Sequence, residues 1–299
     1  MKKFCIVRGV AILAAIIAPS VAFAQSFSYP DFTNTSQLQI NGSASVINNG
    51  TSNVLRLTPA SPDQAGSAFS LNTVALGSSA SFSTDFRFQL TNGGGISDGT
   101  TNPLGADGIV FVLNTVSNSV GTLGQGVGYQ GVPNSVGIKF DTWQDGVAGF
   151  PQDSDPNGNF VAIYTNGSTQ TAGLDTYSPV NSMKNGDIWH AWIDYNGSSN
   201  LLEVRLADGS DVRPDTAQLS ETINLSDAGI LGSSPNVFAG FTSGTGGAYD
   251  NHDILSWDFN NSYQPIGAPT NNVPDATSTL GILAASLAVL AGLRRRLRG

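Results

Sequence analysis

The chain has 299 residues, a formal net charge of −9, 40% hydrophobic residues and 12% charged residues. Without residues 1–24 and the apolar and arginine-rich residues 279–299, six basic residues remain against 22 acidic ones, a net charge near −16. This charge argues against electrostatic binding of nucleic acid or of an anionic membrane surface. Only two of the acids are glutamate. The excess of Asp, a turn former and calcium ligand, indicates a loop-rich β protein and favours calcium binding.

Residues 1–24 have the pattern of a secretory signal peptide. Two lysines precede an apolar stretch, and the segment ends in small residues around Ala22 and Ala24, which predicts cleavage before Gln25. The only cysteine, Cys5, leaves with this peptide. We therefore expect the exported domain to be stabilised by its core or by a metal rather than by disulfides.

Residues 25–260 are predicted to form a single all-β domain. Short runs with alternating apolar residues recur, among them QLQI, VLRLTP, SFSTDFRF, GIVFVL, VGIKFD, FVAIYT and LLEVRL. Each run is bounded by Gly, Asn, Asp, Ser or Pro, and such alternation with β-branched and aromatic residues is typical of strands. No segment has a convincing helical period, so an antiparallel sandwich or barrel is expected.

An acidic loop follows the VGIKFD strand. Asp141, Asp145, Asp153 and Asp155 lie in a stretch rich in Gly, Pro and Asn. Calcium takes six to eight oxygen ligands from carboxylates, carbonyls and water, so one ion could neutralise the repulsion in such a loop. The alternative is a solvated acidic surface loop, and the spacing does not match an EF-hand.

Other conspicuous segments have plainer interpretations. The glycine-rich GQGVGYQGV at residues 124–132 lacks the Lys-Ser/Thr pair and the following helix that a phosphate loop requires. Asp107 in GADGIVFVL can simply be a turn residue before an apolar strand. His190 and His252 have no nucleophile pattern nearby, so both are expected to be structural.

Taken together, these segments resemble the legume-type (L-type) lectins. The resemblance runs from Phe27 to about Phe259 and depends on eleven motifs in the family's order: FSYPDF, VLRLTP, GSAF, SFSTDFRF, ADGIVFVL, GYQGV, VGIKFDTW, DPNGN, WHAWIDYNGSSNLLEVRL, GFTSGTG and HDILSWDF. It implies a concanavalin-like jelly-roll β-sandwich in which sugar binds in loops at one end of the front sheet, beside calcium. It also implies a carbohydrate-binding protein and not an enzyme.

The resemblance implies roles for individual residues. The carbohydrate-binding residues it implies are Asp107, Gly128, Trp143, Asp145, Gly247 and Ala248. The calcium ligands it implies are Asp141, Trp143 through its carbonyl, Asp145 and Asp155. In the family the aspartate matched by Asp107 follows a cis peptide and accepts hydrogen bonds from two sugar hydroxyls. Gly247 and Ala248 fall in the variable loop that selects the monosaccharide.

Three departures from the family pattern affect these expectations. Lys139 and Phe160 stand where the family has the Glu and His of a second, transition-metal site. We expect that site to be absent, with the Lys139 ammonium in place of the cation. Asp145 replaces an asparagine that contacts both calcium and sugar. The loop is also longer than in legume proteins, so Asp153 competes with Asp155 as a metal ligand.

The C-terminal region predicts a linker and a sorting signal. Residues 261–272 are rich in Pro, Asn and Gly, and residues 273–299 contain Val273-Pro274-Asp275, an apolar stretch and an arginine cluster. This order resembles bacterial exosortase (PEP-CTERM-like) signals, here as a VPD variant. It implies processing by an exosortase-type enzyme and transient membrane insertion of this segment alone. A plain transmembrane anchor is the alternative.

The sequence therefore predicts an exported, cell-surface or matrix-associated lectin that binds a glycan in a calcium-dependent way. One alternative is a structural matrix or adhesion protein without sugar binding, because Asp145 removes an amide donor. A glycoside hydrolase is a weaker alternative. Such enzymes need two carboxylates roughly 5–9.5 Å apart, and Glu203 and Glu221 lie in separate predicted strands without the usual pattern. The identity of the sugar and the oligomeric state stay open.

Overall fold

The computed structural model describes residues 26–77, 79–120, 126–145, 155–169, 173–233 and 235–268. The predicted signal peptide, the Asp153 alternative and the sorting segment 273–299 lie outside these ranges. Within them the chain forms strands and turns and no α-helix, and therefore no helix that could cross a membrane. The strands are β1 (Ser26–Tyr29), β2 (Leu38–Gly42), β3 (Ser45–Asn48), β4 (Asn53–Thr58), β5 (Ala65–Ser70), β6 (Val74–Ala75), β7 (Phe82–Gly95), β8 (Gly108–Asn114), β9 (Ser135–Asp141), β10 (Phe160–Thr165), β11 (Thr176–Tyr177), β12 (Ile188–Asn196), β13 (Leu201–Asp208), β14 (Leu219–Thr222), β15 (Asn236–Gly244) and β16 (Ala248–Asn260).

The strands form two antiparallel sheets. The back sheet has the order β14-β13-β12-β7-β16-β4-β3, with β1 also paired to β16. The front sheet has the order β11-β10-β9-β8-β15-β5-β2, with β6 also paired to β15. Half of the neighbouring pairs in these two orders join strands that are not consecutive in the chain, so the sheets are assembled from long-range pairings as well as from hairpins.

Aromatic side chains join the two sheets. The ring of Phe86 in the back sheet contacts Phe140 and Phe241 of the front sheet, with ring centroids 5.5 and 4.9 Å apart. Phe241 in turn lies 4.9 Å from Trp257 of the back sheet. These residues are fully buried, and rings of this size dominate the energetics of a core. The predicted all-β sandwich is confirmed.

A second apolar cluster covers the outer face of the front sheet. Tyr129, in the turn of residues 126–132, is fully buried against strand residues that include Val110, Val112 and Tyr164. Its hydroxyl accepts a hydrogen bond from Ser135 Oγ at 3.0 Å. The turn that carries Gly128 is therefore packed against the front sheet.

The first part of the predicted linker packs on the domain. The amide of Gln264 donates to Ser83 Oγ at 3.0 Å, and Asn261 Nδ2 donates to the carbonyl of Ala75 at 2.7 Å. Arg213 Nη1 reaches the carbonyl of Ile266 at 3.5 Å. Residues 261–268 thus follow the surface of the sandwich before the chain leaves the described residues.

Candidate functional site

At one end of the front sheet, called the site edge below, strand β8 begins and its neighbours β9 and β15 end. Strand β8 begins at Gly108, which pairs with Asp141 at the end of β9. On the other side of β8, the amide of Asp107 donates to the carbonyl of Gly244 at the end of β15, at 3.2 Å. Because these strands are antiparallel neighbours, loop residues that are distant in sequence meet at this edge.

Asp107 is buried at this edge with part of its carboxylate unpaired. Its side chain is only 5% exposed, and Oδ2 has no hydrogen-bond partner among the described residues. Burial, together with the charges of Asp141 and Asp145, raises the pKa of Asp107 well above its ordinary value. The Ala106–Asp107 peptide is cis. A buried acceptor without a donor is suited to take a hydrogen bond from a ligand hydroxyl.

Trp143 packs between the segment before β8 and the start of β16. Its side chain is 6% exposed and forms a small apolar cluster with Ala106 and Ala248. Gly247, directly before Ala248, is exposed, and its carbonyl accepts from the amide of Ile96 at 3.2 Å. The structure therefore brings the predicted residues Asp107, Trp143 and Ala248 together through the contacts of Ala106.

Gly128 approaches the same edge from the outer face of the front sheet. It has a positive φ of 68°, and a Cβ on it would lie 2.8 Å from Thr242 Cβ. Thr242 Oγ1 donates to the carbonyl of Val127 at 2.7 Å and fixes this turn beside β15. A side chain at position 128 would push the turn away from the strand that ends next to Asp107.

The predicted calcium ligands lie in a hydrogen-bonded cluster. Asp141 Oδ1 accepts from the amide of Trp143 at 2.8 Å, and Asp155 Oδ2 accepts from the amide of Asp145 at 3.0 Å. The second of these bonds joins the beginning of the acidic loop to its end. Among the described residues, however, no group of three or more His, Cys, Asp or Glu side chains is arranged to hold a metal ion.

Lys139 supplies a positive charge inside this cluster. Its ammonium is fully buried and forms an ion pair with Asp141 Oδ2. Burial opposes this charge, but Asp141 and Asp155 outweigh burial and raise the pKa of Lys139 above its ordinary value. The ammonium also lies 5.7 Å from the ring centroid of Phe160 and 6.0 Å from that of Tyr164, within the range of a cation–π attraction.

Several residues around the site had no signal in the sequence. Asp98 Oδ2 accepts from the amide of Gln144 at 3.2 Å and so supports the acidic loop from a distant segment. Lys184 and Asp250 lie against the backbone beside Asp107, and His252, which the sequence indicated only as a structural residue, accepts from the amide of Gly108. Their roles depend on long-range contacts, which a local pattern does not encode. Tyr249, directly after Ala248, is half-buried.

The family model described as "Legume lectin beta-barrel domain" matches residues 30–256. The chain therefore belongs to the family of legume-type lectin domains. The L-type lectin-domain containing receptor kinase VIII.2 of Arabidopsis thaliana is 29% identical over 242 residues, which cover 77% of this chain and 31% of the kinase. The chain spans about a third of the length of the curated relatives it matches.

Solved structures agree with this family. The winged bean acidic lectin complexed with methyl-α-D-galactose is 25% identical with a TM-score of 0.62, and the match covers 81% of this chain and 100% of the lectin. Peanut lectin is 24% identical with a TM-score of 0.63, covering 80% of this chain and 97% of the lectin, and shows the fold. The jelly-roll sandwich is confirmed, and the family agrees with the prediction of a non-enzymatic binding domain.

Proposed function

We propose that this domain binds a glycan in a calcium-dependent way, at the edge of the front sheet where β8 begins and β9 and β15 end. The observation that supports this most directly is the buried Asp107 carboxylate, whose Oδ2 has no partner among the described residues, beside Trp143 and the exposed Gly247. Two sugar hydroxyls would supply the missing donors. Gly247 and Ala248 would border the sugar and select among monosaccharides.

Calcium fits the donor set of the acidic loop. Asp141, Asp145 and Asp155 offer carboxylate oxygens and Trp143 a carbonyl, the hard ligands that calcium prefers. Burial raises the pKa of Asp107, and the charges of Asp141 and Asp145 add to this effect, so three carboxylates lie close to one another at this end of the sheet. A bound calcium ion would neutralise that charge and hold the loop in the conformation that presents Trp143 and Asp145.

A transition metal does not fit. The ammonium of Lys139 has only donors and already forms an ion pair with Asp141, and the Phe160 ring beside it has no ligand atom. We therefore propose one calcium ion per domain and no second metal, with Lys139 as the permanent cation at that position.

A glycan array tests this function. The domain spanning residues 25–260 is screened with calcium and after chelation, alongside Asp107→Asn and a control, Asp211→Asn, on the back of the sandwich. We expect calcium-dependent binding that Asp107→Asn weakens by about 1.5–3 kcal/mol, because a charged acceptor is lost, and that Asp211→Asn leaves unchanged. Wild-type binding by Asp107→Asn would place the sugar elsewhere. No binding to any glycan would favour the matrix-protein alternative.

Export and sorting form a separate part of the proposal. The signal peptide pattern of residues 1–24 and the VPD, apolar and arginine segments of residues 273–299 support a secreted or surface location after processing by an exosortase-type enzyme. Mass spectrometry of the protein from its native cells tests this. Surface-exposed protein that retains peptides containing Leu293 would favour the membrane anchor.

A further inference from the structure

The Gly105–Ala106 peptide group, which precedes the cis peptide before Asp107, is held on both sides by charged side chains. Lys184 Nζ donates to the carbonyl of Gly105 at 2.8 Å. The carboxylate of Asp250 lies on the amide side of the same peptide group. The Ala106 amide acts on the pKa of Asp250 against the effect of burial, and both carboxylate oxygens lie within 2.3 Å of the position that a Cβ on Gly105 would occupy. Lys184 is 8% exposed and Asp250 is 1% exposed, so both contacts are shielded from water.

Lys184 and Asp250 also attract one another. Among the charged groups that face Lys184, Asp250 has the strongest effect on its pKa, ahead of Asp98. Asp250 packs directly on the backbone, since a Cβ on Gly105 would lie 2.1 Å from its Oδ2. The two side chains come from a turn before β12 and from the start of β16, so they tie three distant segments together at one peptide.

The peptide groups after Asp107 are held by a chain of uncharged groups. The amide of Gly108 donates to His252 Nε2 at 3.1 Å, so Nδ1 carries the ring hydrogen and donates to Thr58 Oγ1 at 2.6 Å. Thr58 Oγ1 lies 3.1 Å from Ser243 Oγ, which donates to the carbonyl of Gly108 at 2.8 Å. Asp107 therefore stands between two anchored peptide groups.

We propose that Lys184 and Asp250 are positioning residues for glycan recognition, which fix the orientation of Asp107 without touching the sugar. This inference rests on the proposed function. Rotation of the Gly105–Ala106 peptide would carry Asp107 with it. The Lys184 donor on the carbonyl and the Asp250 carboxylate packed against the other side of the peptide oppose that rotation. Hydrogen bonds to charged partners are about twice as strong as neutral ones, so the pair holds this peptide more firmly than backbone bonds alone.

The test compares Lys184→Met, Asp250→Asn and a matched control, Arg213→Met. The control also removes the cation of a buried pair, Arg213 Nη2 to Asp194 Oδ2 at 2.6 Å, but on the back sheet. Hydrogen exchange of the amides of residues 106–108 is measured, and global stability is measured by urea unfolding. The calcium-loaded variants are also applied to the glycan array.

We expect exchange at these amides to be at least tenfold faster in Lys184→Met and Asp250→Asn than their global stability accounts for, and unchanged in Arg213→Met. We also expect at least tenfold weaker glycan binding in the first two variants only. Should Lys184→Met fail to fold, Asp250→Asn alone tests the inference, because the asparagine side chain has the volume of aspartate and keeps one acceptor oxygen.

Unchanged local exchange and glycan affinity in Asp250→Asn would overturn the inference. Faster local exchange with wild-type glycan affinity would also overturn it, because positioning would not affect recognition. A wild-type domain that binds no glycan under any condition would instead contradict the proposed function, and the inference would fall with it.

Discussion

At the scale of single residues, Lys139 is the most consequential departure from the family pattern. Its ammonium is fully buried against Asp141, and removing one partner of a buried ion pair leaves an uncompensated charge, which costs about 3–5 kcal/mol. We expect Lys139→Met to lower the free energy of unfolding by about that amount in urea titrations. Arg87→Met is the control, because Arg87 and Asp211 are 37% and 64% exposed and such pairs contribute at most about 1 kcal/mol. Equal stability of the two variants would contradict a structural role for Lys139.

His252 makes stability depend on pH. Burial, opposed by a hydrogen bond to the backbone of Asp250 and aided by the charges of Lys184 and Arg56, lowers the pKa of His252 to about 3. Between pH 3 and the ordinary histidine value near 6.5, the unfolded chain binds a proton here and the folded chain does not. Stability from this group is therefore present above pH 6.5 and lost as pH falls, by about 1.4 kcal/mol per pH unit.

The measurement is the free energy of urea unfolding from pH 4.5 to 6.5. Asp residues with raised pKa values change stability in the opposite direction, and they are present in both proteins compared. The slope of the unfolding free energy against pH should thus differ between His252→Gln and the wild type by the amount that corresponds to one proton, about 1.4 kcal/mol per pH unit. Parallel curves for the two proteins would show that His252 is protonated in the folded state.

At the scale of elements, the sequence predicted strands where alternation is local. VGIKFD and FVAIYT correspond closely to β9 and β10. The length of β7 was not predictable, because residues 91–95 form TNGGG and become a strand only through pairing with the start of β16. The same reason limited the prediction of the site. The order of the motifs indicated Asp107, but the contact of Thr58 with His252 was not predictable, because these residues are 194 positions apart and no local pattern joins them.

Gly137 shows how one element positions another. A Cβ on Gly137 in β9 would lie 2.7 Å from the ring of Tyr129, which anchors the turn that carries Gly128. We expect Gly137→Ala to displace this ring and to destabilise the domain by about 1–3 kcal/mol, as overpacking does. Gly229→Ala is the control, because a Cβ there meets nothing within 4 Å. The measurement is the midpoint of urea unfolding of each variant. Equal midpoints would show that the Tyr129 ring can move without loss of stability.

At the scale of the whole molecule, calcium is expected to act as a stabilising ligand of a strongly acidic domain. At 100 times its dissociation constant, an ion that binds only the folded state adds about 2.7 kcal/mol. In a domain of this size each kcal/mol raises Tm by about 2–4 °C, so calcium should raise Tm by about 5–11 °C over the chelated protein.

Magnesium separates specific binding from charge screening. It carries the same charge, but it needs near-octahedral geometry and gives up its water reluctantly. At equal concentration and ionic strength magnesium would relieve the general repulsion within residues 25–278, whose net charge is near −16, just as well as calcium. We therefore expect magnesium to raise Tm by clearly less than calcium. Equal shifts for the two ions would mean that screening alone stabilises the domain and that the acidic loop holds no dedicated calcium site.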